Sequence, residues 1–164
     1  MNIENLHKEY GKMLFGYLIA QTGDYTAAED IFQETFLRIQ RYGKSFEGTG
    51  SEKNYLFQIA RNIYYDWLKQ HKTEGQDMLD NIEVNSDPAN SAENKDIRLT
   101  VAECVHKLPD KEREVLLLKE YENLKINQIA NQLNIPEGTV KTRLRSALQT
   151  LKKRLQIAAV LEQV

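Results

Sequence analysis

Apolar residues recur along this chain at helical spacings, and no stretch alternates at period two, so the pattern predicts an all-α protein. Pro88, Pro109 and Pro136 each follow a long helical segment instead of interrupting one. A first helix is expected over residues 3 to 21. A second runs from Thr26 to Arg41, opened by Asp24 or by the Thr26-x-x-Glu29 capping box. YGKSFEGTGS follows, and its glycines Gly43, Gly48 and Gly50 mark a loop from Tyr42 to Gly50. Ser51 is then placed to cap a long third helix reaching about His71.

Between Thr73 and Asn94 the periodicity collapses. Glu74, Asp77, Asp80, Glu83, Asp87 and Glu93 lie there with no basic residue, a composition that reads as a flexible acidic tether. Helical pattern returns near Asp96, with Leu108 and the run Val115 to Leu118 marking a second compact unit. The expected layout is two small helical domains, 1–72 and 96–156, joined by an acidic linker, 73–95, and followed by a tail, 157–164. The tail reads as a fraying helix end.

Within the second unit, Ile126, Ile129, Ala130 and Leu133 line one face of a short helix, and Asn134-Ile135-Pro136 breaks it. Val140, Leu144, Ala147, Leu148 and Leu151 line one face of the next. Two amphipathic helices joined by so short a turn predict a helix-turn-helix. At 100° per residue, the face opposite the apolar stripe carries Gly138, Thr142, Arg145, Ser146 and Gln149, with Lys141, Arg143 and Lys152 toward its edges. From Glu137 to Leu155 six basic residues stand against one acid. Arginine suits guanine edges, hydroxyls and amides suit other bases or phosphates, and lysine suits the backbone, so this helix is a candidate for the major groove of DNA.

The second and third helices each have a distinctive outer face. On the second, Ala27, Ile31, Phe32, Thr35 and Ile39 point inward. Asp30, Gln33, Glu34, Leu37 and Arg41 point outward, giving an apolar center with a polar rim, as at a protein interface. On the third, Leu56, Ile59, Ala60, Ile63 and Trp67 form the core face, so Trp67 is assigned to packing. The other side gathers Gln58, Arg61, Asn62, Tyr65, Lys69 and Lys72. Amides, cations and an aromatic ring on one surface suit single-stranded nucleic acid. Tyr55, Phe57 and Tyr64 are compatible with either side.

Charge complicates this picture, because the 164 residues carry 24 acids against 22 lysines and arginines, a formal charge of −2. A protein that simply coats DNA should be basic. The excess of positive charge is local to the last helix, while acids dominate the tether. Cys104 is the single cysteine, so no intramolecular disulfide forms, and Cys104 with His106 is too small a ligand set for zinc. His7, His71 and His106 are scattered, and no phosphate-binding glycine pattern or paired metal ligands occur, so no catalytic residues, metal or cofactor are expected. No secretory signal and no apolar run of membrane-spanning length stand in the sequence, so a cytoplasmic protein is expected.

LPDKEREVLLLKEYENLKINQIANQLNIPEGTVKTRLRSALQTLKKRL resembles region 4 of the sigma-70 family, and also the DNA-binding domain of LuxR-type regulators. The first half discriminates. AEDIFQETF (28–36) followed by YLFQIARNIYYDWLK (55–69) resembles region 2 of the extracytoplasmic-function group of sigma factors, which carry AEDxxQExF-like and WLxxIARNxxxDxLR-like runs in that order. Tyr55 stands where that group usually has tryptophan, and Lys69 where arginine is common, which changes hydrogen-bond geometry more than charge. A LuxR-like regulator would also need a sensing or receiver domain, and the first 95 residues show no alternating strands and helices to build one.

The resemblance implies a transcription initiation factor that is not an enzyme. Asp30, Gln33, Glu34, Leu37 and Arg41 would dock on core RNA polymerase, and Arg61, Asn62, Tyr65, Lys69 and Lys72 would hold the opened −10 element. The loop 42–50 would help capture a flipped base. Lys141, Thr142, Arg143, Arg145, Ser146 and Gln149 would meet the −35 element of promoter DNA. The acidic tether would run through the cleft where nascent RNA passes. An anti-sigma factor, often membrane-bound in this group, is an expected partner, with no direct insertion of this chain into the membrane.

Overall fold

The structure is a computed structural model that describes residues 2–43, 51–74 and 97–162, with side chains as far as 71 in the second of these stretches and 157 in the third. Among the described residues there are seven helices and no strand: α1 (Ile3–Thr22), α2 (Tyr25–Tyr42), α3 (Glu52–Glu74), α4 (Ile97–His106), α5 (Asp110–Glu120), α6 (Ile126–Leu133) and α7 (Glu137–Glu162). The chain divides into two compact units, Met1–Leu99 and Thr100–Val164. Of the expected loop 42–50, residues 44–50 lie outside the described residues, as do 75–95 of the expected linker 73–95.

In the first unit α1, α2 and α3 pack against one another. Local signals set the ends of these helices. The Asn2 side chain accepts from the Glu4 amide at 3.0 Å and so caps α1. Gly23 closes α1 at φ 68°, the left-handed conformation that a residue without Cβ adopts cheaply. Asp24 opens α2, its carboxylate accepting from the Thr26 amide at 2.9 Å, which decides between the two openings the sequence offered. The Ser51 hydroxyl oxygen accepts from the Asn54 amide at 3.1 Å at the start of α3. Leu6, Leu14, Tyr17, Leu18 and Ile19 of α1 are buried, as are Ile31 and Ile39 of α2 and Leu56, Phe57, Ala60, Ile63 and Tyr64 of α3. Tyr17 and Phe57 meet edge to face at 5.3 Å. Thr35 is fully buried without an orphaned hydroxyl, because it donates to the Ile31 carbonyl one turn back at 2.7 Å.

Three expected core residues stay half-buried here. Phe32 leaves the center of the bundle for an aromatic seam between α1 and α2, with ring centroids 5.4 Å from His7, 5.9 Å from Phe15 and 5.0 Å from Phe36. Trp67 stacks on His71 at 4.2 Å and lies near-parallel to Tyr64 at 6.1 Å, so its ring is packed along its own helix and not in the core. Ile59 is half-buried as well.

In the second unit α7 packs against both α5 and α6, and α5 touches α6. Val115 to Leu118 of α5, Ile129 and Ala130 of α6 and Val140, Leu144 and Ala147 of α7 are buried. Pro109 precedes α5 and offers no side-chain cap. Arg113 closes that turn instead, donating from Nη1 to the His106 carbonyl at 2.8 Å and from Nη2 to Asp110 at 2.8 Å. Between α6 and α7, Asn134 turns the chain at φ 55°, and the Ile135 amide donates back to the Ala130 carbonyl at 3.0 Å. A helix C-cap in the left-handed conformation is cheap for asparagine, and Pro136 then prevents α6 from continuing. The backbone of α7 is helical to Glu162, through most of the expected tail. Its QIAAVLE run holds strong helix formers and no breaker.

Candidate nucleic-acid and protein interfaces

The outer face of α2 has the form the sequence predicted for it. Asp30, Gln33 and Arg41 are exposed, and Leu37 stands among them with 45% of its surface open. Glu34 is half-buried and pairs with Arg38 one turn later, Nε to Oε1 at 3.2 Å. A pair of this kind on an open helix contributes only about 0.3–0.5 kcal/mol, so it can be exchanged for contacts to a partner at small cost.

On α3, Gln58, Asn62, Tyr65 and Lys69 are exposed and Arg61 is half-buried. The Lys72 side chain lies outside the described residues. Tyr65 keeps 42% of its surface open, while Tyr64 beneath it is buried, their rings 5.5 Å apart. An amide, a ring and a cation therefore share one side of a rigid helix, spaced so that a base can stack on Tyr65 while its sugar-phosphate backbone runs past Lys69. Phe57 and Tyr64 belong to the core, and Tyr55 is half-buried.

On α7, Gly138, Lys141, Thr142, Arg145, Gln149 and Lys152 are exposed. The Thr142 hydroxyl donates to the Gly138 carbonyl at 2.9 Å, which fixes its rotamer and leaves its oxygen as an acceptor. Two residues expected beside them are less open. Ser146 is half-buried and its hydroxyl donates to Glu112 Oε1 of α5 at 2.6 Å. Arg143 is half-buried beside Glu114, whose carboxyl is held above the ordinary range by burial while the Arg143 and Arg113 charges pull the other way. Both placements have one cause: α5 packs on the flank of α7 that carries Arg143 and Ser146. The opposite flank is correspondingly open, so Leu148, expected in the apolar stripe, is 50% exposed beside Lys141, Arg145 and Lys152 on the helical wheel.

Sequence reasoning missed Arg113, Glu112 and the exposure of Leu148. For Arg113 the local signal was an arginine three residues after Asp110, behind a proline that cannot cap. Glu112 and Ser146 are 34 residues apart, and no local pattern announces their contact. Among the described residues no group of three or more His, Cys, Asp or Glu could hold a metal ion, and no helix is long and apolar enough to cross a membrane.

Comparison with known proteins bears on both units. Residues 6–74 match Sigma-70 region 2, and residues 98–151 match Sigma-70, region 4. The chain is 31% identical to the ECF RNA polymerase sigma factor SigM of Bacillus subtilis, over 93% of this chain and 94% of that protein. It is 31% identical to SigW of the same organism, over 90% and 85% of the two chains. With SigL of Mycobacterium tuberculosis it shares 30%, over 92% and 87%. Among solved structures it resembles the sigma factor RpoE of Bartonella quintana in complex with the anti-sigma factor NepR, with a TM-score of 0.65 at 23% identity, over 94% and 98% of the two chains. It also resembles CnrH in complex with the cytosolic domain of CnrY, at a TM-score of 0.57 and 18% identity, over 94% and 88%.

Proposed function

The chain belongs to the extracytoplasmic-function group of the sigma-70 family, and from that membership we propose that it directs core RNA polymerase to a specific set of promoters for transcription initiation. The observation that carries the reading is the pairing, in one chain, of a helix-turn-helix with an exposed cationic face and a region 2 helix bearing Asn62, Tyr65 and Lys69 on one side. A stand-alone LuxR-like regulator explains the first feature and not the second.

The α2 face centered on Leu37 docks on core polymerase, with Asp30, Gln33, Glu34 and Arg41 as its rim. Arg61, Asn62, Tyr65, Lys69 and Lys72 hold the −10 element as it opens. Lys141, Thr142, Arg145 and Gln149 read or grip the −35 element, while Arg143 braces α7 against α5. This division accounts for the charge: a protein carried to DNA by polymerase needs little nonspecific affinity of its own, and its acids suppress it. The protein works in the cytoplasm, as a factor without catalytic activity. An anti-sigma partner is in keeping with the complex in which the structurally similar RpoE was solved.

The test is transcription of genomic DNA in vitro by core polymerase with this protein, followed by sequencing of transcript 5′ ends. Start sites preceded by two shared elements at −35 and −10 are expected. Starts no different from those of core enzyme alone would overturn the reading.

A further inference from the structure

Ser146 sits next in sequence to Arg145 on α7, yet its hydroxyl is spent on Glu112 of α5 at 2.6 Å. The other carboxylate oxygen, Glu112 Oε2, is buried and has no hydrogen-bond partner. The contact ties two helices together. The buried residues of α7 are Val140, Leu144 and Ala147. The Ser146–Glu112 hydrogen bond adds a directional polar tie on one flank of that packing, between residues 34 apart in sequence.

We propose that Glu112 is a positioning residue for −35 recognition: by holding Ser146 it sets the roll of α7, and so the angle at which Arg145 meets the base edges. On this account Ser146 does not read DNA. The base-facing set is Lys141, Thr142, Arg145 and Gln149. The inference rests on the reading of α7 as the −35 helix and goes beyond it in assigning the specificity of that helix to a residue on α5.

A double-variant cycle on the reconstituted holoenzyme tests it, with Glu112→Ala, Ser146→Ala and the pair scored on a promoter and its single −35 substitutions. Each single variant should lower discrimination at the same one or two base pairs by roughly three- to tenfold, as expected for one hydrogen bond. The double variant should lose no more than either. Glu112→Gln, which keeps an acceptor for Ser146, should restore discrimination. The salt dependence of binding should not change, because no phosphate contact is lost. Melting of the full-length variants by circular dichroism checks that they fold. The inference is overturned if the two losses add, if Ser146→Ala alone acts, or if binding weakens equally on every sequence. A wild-type holoenzyme indifferent to the −35 element would overturn the promoter reading itself, and this inference with it; preference without sensitivity to Glu112 sinks the inference alone.

Discussion

The two units solve the same problem, holding amphipathic helices together, with different materials. In α1–α3 the core contains large rings, Tyr17, Phe57 and Tyr64, and its buried threonines are satisfied within their own helix, as when Thr22 donates to the Leu18 carbonyl at 2.8 Å. In α4–α7 the buried residues are mostly aliphatic, and two of the polar contacts span a turn or two helices: Arg113 to the end of α4, and Ser146 to Glu112. A bundle filled by large rings leaves residues such as Leu37, Asn62 and Lys69 exposed on its outer faces. A thinner core spends polar side chains on alignment, so fewer of them remain for a ligand.

The contrast predicts that polar changes on the first unit should alter binding alone, whereas in the second they should alter folding as well. The largest effect belongs to Leu37→Asp, which puts a charge at the center of the proposed polymerase contact. It should abolish pull-down with core enzyme while circular dichroism stays that of the wild type, because an unpaired charge is costly to bury at an interface and harmless in solvent. Assembly of this variant at normal affinity would remove α2 from the interface.

Next in size is Tyr65→Ala combined with Asn62→Ala. The holoenzyme should still form and bind promoter, but permanganate reactivity of the −10 thymines should fall, since a stacked base is worth about 1–3 kcal/mol. Normal melting of DNA by this variant would show that α3 had been given the wrong task.

Arg113→Ala should cost the second unit about 1–3 kcal/mol, because it strips donors from half-covered carbonyls at the α4–α5 turn. Trp67 is the only tryptophan and lies in α3, so its fluorescence reports the first unit. Helicity should melt earlier in this variant while the tryptophan transition stays put. A matching shift in both signals would erase the proposed difference between the units.

The smallest effect is that of Glu114→Gln. Burial raises the folded-state pKa of this carboxyl above its unfolded value, so the folded state binds its proton more tightly. The resulting penalty is full above the folded pKa and disappears as pH falls below the unfolded one. The variant should therefore melt slightly higher than the wild type at neutral pH, with the gap narrowing through the carboxylate range. A gap that widens on acidification would mean that attraction to Arg143 outweighs burial.

The sequence made helices and their ends legible wherever the cause was local. Asp24, Ser51 and the Asn134-Ile135-Pro136 break all act within four residues. The exposed faces of α2 and α3 were legible for a related reason: on each of them a single apolar stripe determines what is left outside. On α7 the same wheel misplaced Ser146 and Leu148, because a helix packed between two neighbors is covered asymmetrically, and nothing in its own periodicity says which flank is taken. Phe32 and Trp67 are packed, as expected, but only half-buried. Their place on the apolar face suggested the core, but here the rings find partners along the helix or across the α1–α2 seam.

The length of α7 has a mechanical consequence. Twenty-six residues at 1.5 Å each make a rod of about 39 Å, roughly three times the width of the major groove. On the proposed reading, then, base contact belongs to the leading turns, from Gly138 to about Gln149, and the backbone of α7 runs on past them as one unbroken helix. A stiff rod of this kind turns as a whole, so the roll set anywhere along it is the roll at Arg145.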